Sequence, residues 1–165
     1  SSNDVFAIYE DRHDNLWVGT ARGLNTFDRE TGACVRHLAD PENSQSISHD
    51  HVRTIAEDHH GTLWIGTANG LNTFDYESGQ FTRYHHNPDD AGSLVNNAIS
   101  SIYEDHEGTL WIGTNLGLER FDYDTGTFQH YQADSDDPHS LNFNQITTLF
   151  EDRAGTLWIR TYVSG

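Results

Sequence analysis

The sequence predicts an all-β protein built from the four-stranded antiparallel blades of a β-propeller. Three observations predict this fold: an internal repeat, short strand-like segments with turn residues between them in each repeat unit, and one long polar loop between units. The repeat is clearest in tryptophan, which occurs four times, each 47 positions after the last, at Trp17, Trp64, Trp111 and Trp158.

Starting at Val5, the repeat divides the chain into units 5–51, 52–98 and 99–145 and a remnant, 146–165. A period of this length is typical of propellers or of helical solenoids. No window has the 3.6-residue periodicity of a helix, which argues against a solenoid. We therefore expect a partial β-propeller of about three and a half blades.

The second unit shows how one blade should be built. Strands are predicted at 52–58, 62–67, 71–75 and 81–84, because β-branched and aromatic residues there alternate with turn residues. Gly61 stands where a short hairpin loop needs a left-handed backbone. The polar loop that follows the fourth strand should lead to the innermost strand of the next blade.

Each repeated tryptophan is expected to pack between adjacent blades, where its ring has the largest apolar area to bury. Cys34 stands where the later units have Phe81 and Phe128, so we expect it to be a small core residue. A run of three and a half blades leaves both end faces and one strand edge uncovered. The chain should therefore form homo-oligomers or be the remainder of a longer propeller.

Composition excludes several partners. The chain has 26 acidic and 9 basic residues among 165, a net charge of −17, so neither nucleic acid nor an anionic membrane surface is an expected partner. The chain contains one cysteine and therefore forms no internal disulfide. Any link to a membrane should come from flanking segments, since no apolar stretch is long enough to span one.

The repeated motif Glu-Asp-x-x-Gly-Thr-Leu-Trp-Ile-Gly-Thr-x-x-Gly-Leu-Asn-x-Phe-Asp, followed by Gly-x-Phe-x-x-Tyr, resembles the two-component regulator propeller family. In that family such blades form extracytoplasmic sensor domains of hybrid histidine kinases and of some diguanylate cyclases, and many members sense glycans. The resemblance implies a periplasmic or other extracytoplasmic location. The sequence departs from the pattern at Arg160, which stands where Gly19, Gly66 and Gly113 stand.

Ligands of propellers usually bind at one face, around the mouth of the central channel. Here that face should collect the turns between second and third strands and the long loops. The turns offer Arg22, Asn69, Asn115 and Tyr162, and the residues before each inner strand are Asn3, Asp50, Asn97 and Asn144. Their amide and carboxylate groups suit sugar hydroxyls. The alternative for the second set is turn chemistry at the strand entry, and we favour it.

Two residue patterns are candidates for catalysis or metal binding. Pairs such as Glu57-Asp58 place adjacent side chains on opposite faces of a strand, so capping of the following turn is preferred to acid–base catalysis. His49 and His51 flank Asp50 and form the least improbable metal site, but no recognised ligand spacing is present. We predict no metal, no cofactor and no catalytic residues.

The leading functional prediction is a non-catalytic, ligand-sensing propeller segment of an extracytoplasmic two-component receptor, with a small molecule or oligosaccharide as ligand. The alternative is a structural or protein-interaction module that self-associates. A third possibility, a propeller lyase or glycosidase, requires converging carboxylates or histidines on one face, and the sequence shows none.

Overall fold

The computed structural model describes residues 3–162, which form fourteen strands in four antiparallel sheets. The first three sheets have four strands each, paired in sequence order, and the fourth has two. Four short strands joined in order by tight turns, with a long loop to the next sheet, are the blades of a propeller. The predicted fold class is confirmed.

We number the sheets blades 1 to 4 in chain order. Blade 1 contains β1 (Val5–Glu10), β2 (Leu16–Thr20), β3 (Gly23–Phe27) and β4 (Cys34–His37). Blade 2 contains β5 (Val52–Glu57), β6 (Leu63–Thr67), β7 (Gly70–Asp75) and β8 (Gln80–Tyr84). Blade 3 contains β9 (Ile99–Glu104), β10 (Leu110–Thr114), β11 (Leu118–Asp122) and β12 (Thr127–Tyr131), and blade 4 contains β13 (Ile146–Glu151) and β14 (Leu157–Thr161).

The turn between the first and second strands has the backbone that the sequence predicts. Gly61 has a φ of 87°, and Asp14, at the same position in blade 1, has a φ of 64°. Asp is one of the few residues other than glycine that tolerate this left-handed region. The residues of the turn itself therefore supply the backbone conformation that the hairpin needs.

An aspartate holds each of these turns and also the tryptophan of its blade. In blade 2, Asp58 accepts a hydrogen bond from the Thr62 amide at Oδ1 (2.8 Å) and one from Trp64 Nε1 at Oδ2 (2.8 Å). Tyr123 of blade 3 donates its hydroxyl to the same Oδ2 at 3.1 Å. The capping preferred for the Glu-Asp pairs is present, and it extends across the blade boundary.

The indole rings pack against the following blade. Trp17 and Trp64 are buried, and their centroids lie 4.9 Å from those of Phe74 and Phe121 respectively. Trp111 is only partly buried, and Trp158 is 59% exposed. The expectation that all four rings are enclosed is therefore wrong for Trp158. Phe74 and Phe121, which pack on Trp17 and Trp64, belong to the third strand of the following blade. No blade follows blade 4 among residues 3–162.

The opposite end face shows the same effect. Ile8 is 66% exposed, whereas Ile55 and Ile102, at the same position in blades 2 and 3, are 8% and 7% exposed. Cys34 is also exposed, so its predicted role as a core residue is wrong. Its side of the strand faces a preceding blade, and the described chain has none there.

Ion pairs link each blade to the next near the first turn. The Arg12 side chain pairs with Glu57, His59 Nδ1 lies 2.5 Å from Glu104 Oε1, and His106 Nδ1 contacts Glu151. The hydrogen bond and charge of Glu151 raise the pKa of the His106 imidazole. These links repeat along the chain with Arg or His as donor.

Among residues 3–162, no helix is long and apolar enough to cross a membrane.

Candidate ligand-binding face

The turns between second and third strands and the long inter-blade loops lie at one end of the blades, as predicted. Backbone hydrogen bonds join them: the Gly23 amide donates to the Asp50 carbonyl at 2.7 Å, and the Gly70 amide donates to the Asn97 carbonyl at 2.7 Å. We call this end, formed by residues 20–23, 67–70 and 114–117 and the loops 38–51, 85–98 and 132–145, the upper face. A ligand at this face would contact turns and loops of several blades.

The predicted residues before the inner strands are engaged within their own loops. Each is half-buried, and its Oδ1 accepts a backbone amide from the residue 11 positions earlier, which closes the loop. The pairs are Asp50 with Ala39 (2.8 Å), Asn97 with His86 (2.6 Å) and Asn144 with Ala133 (2.5 Å). This geometry favours the strand-entry alternative for the set. Asn3 is exposed at the start of the described chain.

The turn tips share one backbone hydrogen bond to a threonine but carry different side chains. Arg22 and Asn69 are exposed, and each donates its amide to the hydroxyl of the threonine two residues earlier, at 3.1 Å. In blade 3 the amide that makes this bond belongs to Leu116, which is 46% exposed. Asn115 lies one position earlier and is half-buried. Tyr162 is exposed, and its amide donates to the Gln145 carbonyl at 2.8 Å.

Leu116 is therefore the tip residue that sequence reasoning missed in blade 3. The sequence repeat identifies this residue, because Thr114 and Gly117 align with Thr67 and Gly70, so Leu116 is equivalent to Asn69. A search restricted to polar side chains selects the neighbouring Asn115 as the ligand-binding candidate instead. The tips as the structure places them carry a guanidinium, an amide and an aliphatic side chain, and the exposed Tyr162 directly follows β14.

Blade 3 also differs beneath the upper face. Glu119 is fully buried, where blades 1 and 2 have Asn25 and Asn72. Its Oε1 accepts the Val95 amide at 2.8 Å, and its Oε2 contacts His130 Nδ1. Burial raises the pKa of Glu119, and the hydrogen bonds from His130 and Val95 oppose that rise.

His130 links Glu119 to the preceding loop. Its Nε2 lies 2.9 Å from the Ala91 carbonyl oxygen, and its Nδ1 contacts the Glu119 carboxylate. The pair fastens loop 85–98 to blade 3, a role that Arg83 performs in blade 2 by donating to the carbonyls of Ser46 (2.6 Å) and Asn43 (2.8 Å).

The candidate metal and carboxylate sites have structural partners. The His51 amide donates to His49 Nδ1 at 2.9 Å, and the His51 ring lies 4.8 Å from that of Phe6. Burial lowers the pKa of His51. Within residues 3–162, no group of three or more His, Cys, Asp or Glu side chains is placed to hold a metal ion. Glu57 and Asp58 bind Arg12 and Trp64 respectively and do not converge.

The repeat units match a known family model, that of the two-component regulator propeller. It matches four times, at residues 1–22, 46–69, 93–116 and 140–163, which together make up more than half of the chain. The chain belongs to this family. The second and third matches each contain the end of a long loop, the first two strands of a blade and the tip of the following turn.

Solved structures of similar sequence are extracellular domains of signalling proteins. One is the extracellular domain of a hybrid two-component system from B. thetaiotaomicron, 31% identical, with a TM-score of 0.85 over 98% of this chain and 22% of that one. A second such domain from the same organism is 28% identical, with a TM-score of 0.76 over 95% of this chain and 20% of that one. The regulator propeller chain thus spans about a fifth of these relatives.

More distant neighbours share the fold alone. Virginiamycin B lyase from Staphylococcus aureus is 18% identical, with a TM-score of 0.64 over 94% of this chain and 48% of that one. The fold therefore also occurs in an enzyme, so function must be argued from the site. A comparison with curated proteins found no match.

Proposed function

We infer that this regulator propeller segment senses a ligand and transmits its binding without catalysing a reaction, as part of an extracytoplasmic receptor. The observation that carries the inference is the upper face, where turns closed by the same threonine hydrogen bond present different side chains. A scaffold that repeats while its tips vary is typical of a recognition surface. Family membership and the extracellular domains of similar structure support a periplasmic or other extracytoplasmic location.

The side chains at the tips suggest the class of ligand. Arg22 and Asn69 offer hydrogen-bond donors and an amide oxygen, and Leu116 and Tyr162 offer apolar and aromatic surface. Sugars combine hydroxyl groups with apolar ring faces, so an oligosaccharide matches this mixture. The repeated residues Asp50, Asn97 and Asn144 contribute less in this proposal, since each holds a loop amide.

Calorimetry and thermal-shift measurements against neutral and acidic oligosaccharides test the proposal. A ligand at about 100 times its dissociation constant should stabilise the chain by about 2.7 kcal/mol. Asn69→Ala and Arg22→Ala should each weaken binding roughly tenfold, the effect of about 1.4 kcal/mol of lost hydrogen bonding. Glu77→Ala, exposed in the turn at the opposite end of blade 2, is the matched control. Equal binding by all three variants would place the ligand elsewhere.

The exposed end faces favour a second candidate, a structural or protein-interaction module. Ile8 at one end and Phe150 and Trp158 at the other are largely exposed apolar side chains. Surfaces of this kind mark association with another chain or another copy. Concentration-dependent association without stabilisation by any sugar would favour this candidate over the first.

A further inference from the structure

We call the contact between two consecutive blades a joint, and each of the three internal joints requires a glycine in the second strand. A Cβ on Gly19 would lie 2.7 Å from Val52 Cγ1 of the next blade. On Gly66 and on Gly113 it would lie 2.6 Å from Cγ2 of Ile99 and of Ile146 respectively. The β-branched residue that begins each following blade thus fills the space a side chain would need.

Blade 4 breaks this rule. The position in β14 that corresponds to these glycines is Arg160, which is exposed. By the alignment with these glycines, the Cβ of Arg160 stands where an added Cβ would meet Val52, Ile99 and Ile146 at the other joints. A blade that begins with valine or isoleucine is therefore sterically excluded from docking on blade 4 in the geometry of the internal joints. The chain's own first blade begins with Val5, which is 48% exposed.

The rest of the exposed face of blade 4 has the same strands and side-chain types that form the internal joints. At each internal joint the first and second strands of one blade contact the first strand of the next, and blade 4 has both of those strands as β13 and β14. Trp158 is exposed with its Nε1 donating to Asp152 Oδ2 at 2.8 Å. Arg153 corresponds to Arg12, which pairs with a glutamate of the following blade.

We propose that blade 4 binds a blade of the same repeat type whose first strand begins with an acidic residue in place of valine or isoleucine. A guanidinium enclosed between two sheets is strongly unfavourable without a carboxylate partner. A small residue at that position would provide space but would leave the charge unpaired. An aspartate supplies a carboxylate that accepts two hydrogen bonds from the planar guanidinium, and it leaves one of the two γ positions of valine or isoleucine empty.

This joint is therefore selective. It accepts a partner through Arg160 and rejects the chain's own first blade at the same residue, which combines an attractive and a repulsive element. Head-to-tail self-association, one route of the association predicted from the open ends, is opposed by this single contact. The inference is independent of the ligand at the upper face.

The chain itself supplies the probe. Its first blade carries Glu10, which can pair with Arg153, and Arg29, which can pair with Asp152, while Val5 stands at the position that meets Arg160. Val5→Asp should produce head-to-tail association, measured by sedimentation velocity and by a blue shift of Trp158 emission. Val5→Asn, of the same size but neutral, is the matched control and should bind at least roughly tenfold more weakly. Positions 5 and 160 are exposed, so the folds of these variants should be unchanged.

The reciprocal variant tests the steric half of the proposal. Arg160→Gly restores the pattern of the internal joints and should associate with Val5 in place, whereas Arg160→Gly combined with Val5→Asp should associate less than either single variant. The proposal is overturned if the unaltered chain already associates with burial of Trp158. It is equally overturned if Val5→Asp and Val5→Asn behave alike, or if Arg160→Gly remains monomeric.

Discussion

Single aspartates connect local turns to the packing between blades. Asp58 is buried and binds the Thr62 amide and Trp64 Nε1 within its blade and the Tyr123 hydroxyl from the next. Asp152 has the equivalent contacts to Thr156 and Trp158, and no following blade supplies a tyrosine among the described residues. The same residue type therefore has different energetic roles at the two positions.

We expect Asp58→Asn to lower the free energy of unfolding by about 1–3 kcal/mol, because the amide NH2 would face donors and leave one of them unsatisfied in the interior. Asp152→Asn should lower it by less than about 1 kcal/mol, since water can replace the lost contact there. Urea unfolding of both variants measures the difference. Equal losses would show that the contact across the joint contributes nothing.

The link between His106 and Glu151 should respond to pH. Glu151 raises the pKa of His106, so the ion pair is complete below the ordinary value of about 6.5 and its stabilisation is lost as pH rises through the raised value. An NMR titration of the His106 ring should give a midpoint above about 6.5. In Glu151→Gln the midpoint should fall. An unchanged midpoint would mean that the pair does not form in solution.

At the scale of the strand and the blade, the exposure of each tryptophan ring shows whether another blade packs against it. Trp64 packs against Phe121 and Tyr84, whereas Trp158 is exposed on β14. We expect Trp64→Ala to cost about 3–5 kcal/mol of stability, as large cavities in cores do. Trp158→Ala should change stability by less than about 0.5 kcal/mol, as surface substitutions do. Thermal or urea unfolding compares them, and a large loss at Trp158 would reveal an enclosure absent from this structure.

Blade elements were predictable because their signals are local. The alternation around Leu63 and the left-handed turn at Gly61 depend on a few neighbouring residues, so strand bounds came within one or two residues of those observed. The exposure of Cys34 was not predictable, because it depends on whether a blade lies opposite. The burial of Glu119 was not predictable, because it depends on how loop 85–98 and His130 fold over it. The turn tip in blade 3 was predicted at Asn115 because that residue is polar, although the 47-residue repeat places the tip at Leu116.

At the scale of the whole molecule, stability should vary from blade to blade. Blades that contact only their neighbours have stabilities that are sums of unit and joint contributions. Blades 2 and 3 each have two joints, whereas blade 1 and blade 4 have one. The burial of the second strands follows this order: every residue of β6 is buried, and none of β14 is.

Hydrogen exchange should therefore rank the second strands by their number of joints, with β6 and β10 most protected and β14 least. Gly66→Ala places a Cβ 2.5 Å from Thr54 Cγ2 of its own blade and 2.6 Å from Ile99 Cγ2 of blade 3, so it should accelerate exchange in blades 2 and 3 together. β2 belongs to blade 1 and serves as the internal control, since it lies across a different joint. Equal acceleration in every strand would mean that the chain unfolds as one cooperative unit and that joints do not contribute separately.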